Sequence, residues 1–154
     1  MTDYNIRFMT DGDIPAAAAL ERLCFSAPWS EASFHSAMKS GVTLFLALCR
    51  EKNMIGYAGI QLIADQGYVT NIAVHPDSRR QGGGRALLHA LLDLGRKRGL
   101  STLSLEVRPS NLPAVSLYTA AGFIEAGRRK NFYSRPPEDG LILTYYYNEY
   151  NGRR

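Results

Sequence analysis

Apolar and polar side chains follow two patterns along the chain. Alternating or continuous apolar residues predict strands at 4–9, 42–48, 55–64, 68–74, 103–107, 123–133 and 141–147. Apolar stripes that recur every three to four residues predict helices at 14–23, 30–41, 85–98 and 111–122. The proline- and glycine-containing stretch 135–140 predicts a loop. This order predicts a single α+β (or α/β) domain over residues 1–154, with helices packed on the faces of one sheet.

The first predicted helix has a recognisable start and an apolar face. Thr10 precedes the acidic Asp13 by three positions, which is a capping pattern at a helix start. The apolar stripe that follows, which we expect to face the core, consists of Ile14, Ala17, Leu20 and Leu23.

Composition narrows the class of protein. The chain has 154 residues, 45% of them hydrophobic and 21% charged, which suits one globular core and is unlike a disordered chain. No apolar run approaches the roughly 18 residues of a membrane-spanning helix, and the polar start is unlike a signal peptide. We therefore expect a soluble, cytoplasmic protein that binds no membrane. The formal charge, 18 − 14 = +4, permits an anionic partner but selects none.

Cysteine and histidine positions argue against a metal site. Cys24 and Cys49 form no C-x-x-C pair, and the three histidines form no H-E-x-x-H motif. Both cysteines lie in apolar sequence without a paired histidine, so we expect buried, inert thiols. The sequence predicts neither a disulfide nor a metal.

The most informative segment joins a predicted strand to the third predicted helix. Residues 74–87 have the sequence VHPDSRRQGGGRAL. Unpaired backbone N–H groups at a helix start bind anions, and glycine lets a phosphate approach the backbone closely. Arg79, Arg80 and Arg85 would add positive charge around such an anion. The segment therefore predicts a phosphate or pyrophosphate site.

The glycines allow three other interpretations. A P-loop needs a lysine and a serine or threonine after the loop, where this chain has Arg85-Ala86. A dinucleotide-binding βαβ unit needs a small residue at Leu87, and the preceding strands look like an antiparallel meander. A loop that merely turns the chain stays open, although each glycine within a helix would cost about 1 kcal/mol.

The spacing Arg79-x-x-Gly82-x-Gly84 resembles the pyrophosphate-binding motif of the GCN5-related N-acetyltransferase (GNAT) superfamily. Further segments narrow the resemblance to its ribosomal-protein-alanine N-acetyltransferases (RimI type). These are FSAPWS at 25–30, NIAV at 71–74, LEVRPSN at 105–111, LYTAAGF at 117–123 and RRKNFY at 128–133. The resemblance covers about residues 4–147. It implies the GNAT fold, a mixed central sheet of about seven strands with helices on both faces.

The resemblance also implies acetyl-CoA as cosubstrate, with no metal. Backbone groups would hold its acetyl-pantetheine arm beside a splay between two strands; they belong to Ile72, Ala73 and Val74. The residues that would wrap the pyrophosphate are Arg80, Gln81, Gly82, Gly83, Gly84 and Arg85. Asn111 would bind the pantetheine part. The family usually has an aliphatic residue at the position of Gly83, so we expect intact binding but a looser helix start.

Acetyl transfer to an amine needs a neutral amine, a stabilised oxyanion and a protonated leaving thiolate. The resemblance implies Glu106 as general base and Tyr118 as general acid. From the residues alone, Glu106 lies opposite the apolar stripe of its strand and could equally pair with an arginine. Tyr118 lies two turns after Asn111 and could equally be a core tyrosine with a bonded hydroxyl.

Aromatic and basic residues leave two further alternatives open. Phe25, Trp29 and Tyr133 could line a peptide groove, although core packing is the usual role of any one aromatic. The basic run 128–130 could steer an acidic partner, but we favour a solvated strand edge.

We therefore expect an acyltransferase that acetylates the N-terminal α-amine of a protein, namely the alanine of a small-subunit ribosomal protein, by direct transfer. An α-amine titrates near 7.7–8.0 and a lysine near 10.4, so the α-amine is easier to deprotonate by about 3.4 kcal/mol. The alternatives are a small-molecule amine or lysine side chain as acceptor, and an acetyl-CoA-binding module without turnover. We expect no direct nucleic-acid binding, because no basic run alternates with stacking aromatics.

Overall fold

A mixed sheet with helices against both faces organises the computed structural model, which describes residues 4–147. The strands are β1 (Asn5–Phe8), β2 (Thr43–Arg50), β3 (Asn53–Ile63), β4 (Gln66–Val74), β5 (Thr102–Val107), β6 (Ile124–Ser134) and β7 (Pro137–Tyr146). The helices are α1 (Ile14–Cys24), α2 (Glu31–Lys39), α3 (Gly83–Lys97) and α4 (Leu112–Ala120). The polar start at residues 1–3, on which our expectation about a signal peptide rests, lies outside the described residues.

The seven strands lie in the order β1-β2-β3-β4-β5-β7-β6. All neighbouring strands are antiparallel except β4 and β5, which are parallel and joined through α3. A parallel pair needs such a crossover, because a tight turn can only reverse the chain. The predicted mixed sheet of about seven strands is confirmed.

Each face of the sheet has its own apolar core. α1 and α2 cover one face, where Ile14, Phe34 and Tyr57 are fully buried. α3 and α4 pack against the other face, where Leu87 and Leu91 are fully buried. The amphipathic stripe of α3 therefore faces the sheet, as its spacing predicts.

Two sequence predictions about local structure are wrong. The predicted loop at 135–140 is a two-residue turn, because β6 ends at Ser134 and β7 begins at Pro137. A proline is tolerated there because the first residue of a strand needs no donor. Leu23 is not on the buried face of α1 and is 57% exposed. The buried positions of this helix are Ile14, Ala17, Ala18, Leu20 and Glu21.

Candidate active site

A splay between β4 and β5 opens the centre of the sheet. Their parallel pairing runs only from Gln66 opposite Thr102 to Tyr68 opposite Ser104. Directly beyond it, the pairing of β4 with β3 shifts register, so that Thr70 has no partner between Val69 and Asn71. Such a bulge bends a strand. The edge of β4 after residue 70 therefore lacks a neighbouring strand.

The register of β4 determines which of its backbone groups face this splay. The N–H of His75 donates to the carbonyl of Ile55 at 2.7 Å, and Ala73 lies opposite Tyr57. Alternate residues of a strand point their backbone groups to opposite sides, so Ala73 bonds toward β3. Of the three residues predicted to hold the pantetheine arm, Ile72 and Val74 therefore present backbone groups to the splay, and Ala73 does not.

A cavity of about 670 Å³ lies at the mouth of the splay. Its walls come from the α1–α2 loop, the bulge of β4, the end of β5, the start of α4 and the end of β6. Four of the predicted site residues line it, namely Ile72, Glu106, Asn111 and Tyr118. The fold thus brings together a carboxylate from β5 with a phenol and an amide from α4 and its N-cap.

Glu106 reaches the cavity because of the alternation along β5. Leu105 and Val107 are buried, whereas the side chain of Glu106 is 26% exposed. Its Oε2 lies 3.6 Å from Nε of Arg129, which comes from β6. The sequence left two roles open for Glu106, a general base and the partner of an arginine. The geometry is compatible with both, since Glu106 lines the cavity and also faces Arg129.

Tyr118 lies against Phe123, with ring centroids 5.8 Å apart. Burial, with a smaller contribution from Tyr133, raises the pKa of Tyr118 to about 12. Burial and then the Glu106 carboxylate raise the pKa of Tyr133. Tyr118 lines the cavity, and a phenol with so high a pKa stays protonated at neutral pH, so it can serve as a proton donor to a ligand there.

Asn111 begins α4, as predicted. Its side-chain oxygen accepts a hydrogen bond from the N–H of Ala114 at 3.3 Å and caps the helix. Since the cap uses the oxygen, the side-chain NH2 group is the part that can face the cavity.

The glycine-rich segment lies beyond the Val74 end of β4 and forms the start of α3. Gly82 has φ = +85°, a conformation that favours glycine, and its carbonyl accepts the first helical hydrogen bond, from Ala86. In the described part of the chain, the N–H groups of residues 83–85 have no backbone acceptor. This is the arrangement of an anion site. Arg80 and Arg85 are exposed beside it, and the side-chain Oε1 of Gln81 accepts from Arg50 at 2.6 Å.

The other two glycines differ in what surrounds them. A Cβ on Gly83 would lie 2.8 Å from Cδ2 of Leu48, so Leu48 fills the space that an aliphatic residue would take. A Cβ on Gly84 would meet only Cδ2 of Leu117, at an ordinary 3.8 Å. Close packing against Leu48 explains why residue 83 is a glycine. No such contact explains the glycine at 84, where the reason can be the close approach of a ligand to the backbone.

One prediction made for this region is wrong, that of a buried Cys24 in apolar surroundings. Arg79 donates through Nε to the carbonyl of Val74 at 3.0 Å and through its NH2 group to Sγ of Cys24 at 3.3 Å. Cys24 is therefore not enclosed by apolar groups, and it lines the cavity. Cys49 is buried, as expected. The sequence could not show these contacts, because Cys24 and Arg79 are 55 residues apart.

Three aromatic residues were considered as the lining of a peptide groove. Phe25, Trp29 and Tyr133 line the cavity, and Phe25 is 41% exposed. Trp29 also packs on Phe34, with ring centroids 5.2 Å apart, so core packing and cavity lining coincide in this residue.

Three charged residues of the cavity were not predicted, namely Glu21, Arg108 and Arg135. Glu21 is only 2% exposed and lies on the inner side of α1. Its position continues the helical spacing of Ile14 and Ala17. A carboxylate in such an apolar stripe could have indicated a buried polar residue with hydrogen-bond partners. Arg108 donates to Glu138 at 3.2 Å and lies 4.3 Å from the ring centre of Tyr133, so it supports the β6–β7 turn.

Residues 4–147 contain no group of three or more histidine, cysteine or acidic side chains that could hold a metal ion. In the same range no helix has the length and apolar character needed to cross a membrane.

Comparison with known proteins gives concordant matches. The profile of the Acetyltransferase (GNAT) family matches residues 14–123. The [Ribosomal protein bS18]-alanine N-acetyltransferase of Escherichia coli K12 is 44% identical over 134 residues, which are 86% of this chain and 90% of that protein. The crystal structure of the Escherichia coli ribosomal-protein-S18-alanine N-acetyltransferase superposes with a TM-score of 0.86 at 40% identity, covering 93% of each chain.

A more distant structure shares the fold. The PaiA N-acetyltransferase of Thermoplasma acidophilum, solved in complex with coenzyme A, is 17% identical with a TM-score of 0.80 over 95% of this chain and 100% of that one. At that identity the likeness concerns the fold alone.

Proposed function

The chain belongs to the GNAT acetyltransferase family, and on that premise we propose that it transfers the acetyl group of acetyl-CoA to the N-terminal α-amine of a protein. The acceptor would be the N-terminal alanine of a small-subunit ribosomal protein, as in the name of the 44% identical relative. One observation carries the proposal: Glu106 and Tyr118 line the same cavity, at the mouth of a splay where the edge of β4 has no neighbouring strand.

The coenzyme would lie along the open edge of β4. The backbone groups of Ile72 and Val74 that face the splay would hold the pantetheine arm, with the Asn111 amide on the opposite wall. The pyrophosphate would bind the free N–H groups at the start of α3, flanked by Arg80 and Arg85. In this order the thioester would lie at the cavity, because the splay leads from the start of α3 toward Glu106.

The reaction would proceed by direct attack of the amine on the thioester carbonyl. Glu106 accepts a proton from the amine, directly or through water, as the new N–C bond forms. The C–S bond then breaks, and Tyr118 gives its proton to the leaving thiolate. A tyrosine whose pKa is raised to about 12 stays protonated at neutral pH and so is available for this step.

The charge of the cavity favours a peptide over a polyamine. Its charged lining consists of two carboxylates and two guanidinium groups, those of Glu21, Glu106, Arg108 and Arg135. A polycation would need an anionic pocket. Exposed Phe25 and half-buried Tyr133 add apolar surface suited to the first side chains of a peptide.

The test is mass spectrometry of an alanine-initiated peptide that contains an internal lysine, incubated with acetyl-CoA. We expect one added acetyl group on the α-amine, located by fragmentation. The matched control is the same peptide with a blocked N-terminus, which should stay unmodified. Acetylation of the lysine or of a polyamine, with the α-amine unchanged, would refute the proposed acceptor. Binding of acetyl-CoA without release of free thiol in the presence of any of these amines would indicate a module without turnover.

A further inference from the structure

A buried polar cluster connects the α1–α2 loop to β4. The Glu21 carboxylate accepts the backbone N–H of Trp29 at 2.8 Å through Oε1. Through Oε2 it accepts the Tyr57 hydroxyl and, at 3.0 Å, the side-chain NH2 group of Asn71. That NH2 group also donates to the Tyr57 oxygen at 2.8 Å. Three elements and one loop therefore converge on one side chain.

Every contact of the Glu21 oxygens is with a donor. Tyr57 is fully buried and Asn71 is 9% exposed, so water does not replace these contacts. Among the described residues no lysine or arginine nitrogen lies within 4.0 Å of Glu21. Burial and then the Glu21 charge hold the pKa of Tyr57 well above its usual value, so Tyr57 remains a donor. The carboxylate is thus held by directed hydrogen bonds alone.

The cluster joins two of the segments that line the cavity, the α1–α2 loop and the bulge of β4. Trp29 belongs to the loop that forms one wall. Asn71 follows the unpaired Thr70 of the bulge, whose hydroxyl donates to the Asn71 oxygen at 2.6 Å. The next residue is Ile72, which presents its backbone to the splay. Any shift of Glu21 would therefore move the acceptor wall and the coenzyme edge relative to each other.

We propose that Glu21 is a positioning residue for acetyl transfer, whose hydrogen bonds to Trp29, Tyr57 and Asn71 lock the acceptor-side loop onto the coenzyme-side strand. The inference rests on the proposed function. Apolar side chains at positions 21, 57 and 71 together could fill the same space without burying these polar side chains, so fold stability alone does not call for the polar cluster. Apolar packing would not fix the position of the α1–α2 loop relative to β3 and β4, whereas directed hydrogen bonds from Glu21 to all three segments do.

The decisive variant is Glu21→Gln, which keeps the shape of the side chain. A glutamine must turn an NH2 group toward one of the donors, so it cannot accept from all three. Tyr57→Phe is the second variant. It removes one donor and keeps the ring that packs on Phe34 at 5.4 Å. Glu125→Gln is the matched control, since Glu125 is exposed at the start of β6 and does not line the cavity.

The α1–α2 loop carries its own probe, because Trp29 is the single tryptophan of the chain. We expect red-shifted Trp29 emission and stronger acrylamide quenching in Glu21→Gln, a smaller change in Tyr57→Phe, and wild-type values in Glu125→Gln. Circular dichroism establishes that each variant is folded. If Glu21→Gln does not fold, Tyr57→Phe decides the question.

Kinetics separates positioning from stability. Glu21→Gln should raise KM for the alanine peptide about tenfold and weaken acetyl-CoA binding severalfold, whereas loss of folded protein alone would lower apparent kcat at unchanged KM. Unchanged Trp29 fluorescence with unchanged KM would overturn the inference. So would a loss of kcat/KM with unchanged Trp29 fluorescence, which would mean that Glu21 contacts the substrate itself. If the wild-type protein leaves every α-amine unmodified, the proposed function fails, and the fluorescence and acetyl-CoA dissociation constants still decide the role of Glu21.

Discussion

Nε of Arg129 lies 3.6 Å from Oε2 of Glu106, across the intervening strand β7. The Arg129 side chain is 57% exposed, so solvent screens the pair and its contribution to stability is about 0–1 kcal/mol. The proximity of these residues therefore raises a question of mechanism, namely whether Glu106 is a base or simply the partner of an arginine.

Substitution of each partner answers that question. We expect Glu106→Gln to lower kcat by about 100-fold or more, because it removes the proton acceptor, and the loss should be greatest at low pH, where less free amine exists. Arg129→Gln should lower kcat by less than about tenfold, since it keeps the carboxylate. Steady-state kinetics on the alanine peptide measures both. Equal, modest losses in the two variants would show that Glu106 is a structural partner only.

Tyr118→Phe tests the proposed acid. The pKa of Tyr118 is raised to about 12, so the wild-type hydroxyl stays protonated throughout the neutral and mildly alkaline range. We expect Tyr118→Phe to lower kcat about 100-fold across that range, because it removes the proton donor for the leaving thiolate. Tyr145→Phe is the control, since Tyr145 packs on Phe123 from outside the cavity lining. A variant lacking the Tyr118 hydroxyl that keeps wild-type kcat would exclude this residue as the acid.

Gly84→Val tests the anion site at the start of α3. Its Cβ would have only an ordinary contact with Leu117 at 3.8 Å, so the fold should tolerate it. We expect the dissociation constant of acetyl-CoA, measured by calorimetry, to rise by about tenfold or more because the side chain blocks the approach of the pyrophosphate, with little change in Tm. Gly84→Ala should cause a smaller rise. If valine leaves the affinity unchanged, the coenzyme does not approach the backbone at this position.

Asp13→Asn tests whether the ion pair between Arg7 and Asp13 makes the free energy of unfolding depend on pH. The Arg7 guanidinium donates to both carboxylate oxygens of Asp13, at 2.7 and 2.9 Å, and these bonds lower the pKa of Asp13 to about 2. A carboxylate whose pKa is lower in the folded state stabilises the fold above its unfolded pKa of about 3.9, and the contribution disappears as pH falls toward 2.

The Arg7 side chain is 43% exposed, so we expect the Asp13→Asn variant to lose about 1 kcal/mol at pH 7. Urea unfolding at several pH values measures this difference. It should shrink between about pH 4 and pH 2, because the wild-type Asp13 becomes protonated there. A difference that persists at pH 2 would mean that the ion pair does not cause it.

Periodicity and glycine spacing along the chain are local properties, and they were sufficient to predict most of the elements. The stripe of α3 and the alternation along β5 were predicted correctly because burial selects every third or fourth residue of a helix and every second residue of a strand. The same alternation placed Glu106 away from the core, and the spacing from Asn111 placed Tyr118 on the same face of α4.

The errors include residues whose surroundings depend on a distant part of the chain. Cys24 lies in apolar sequence, yet its Sγ accepts from Arg79, 55 residues away, and the residue lines the cavity. Leu23 is apolar but lies on the solvent side of α1. Glu21, two residues earlier and so on the opposite side of the helix, faces Tyr57 and Asn71.

The sequence by itself determined the type and order of the elements, the polar residues at the cavity and the family resemblance, because these depend on residue types at short spacing. Only the tertiary structure decided that β4 and β5 separate after three paired residues and that Arg129 meets Glu106. It also decided that Glu21 joins Asn71, 50 residues away. The physical reason is that such contacts are made between elements, and their positions are determined by how the sheet and helices pack rather than by the local chain.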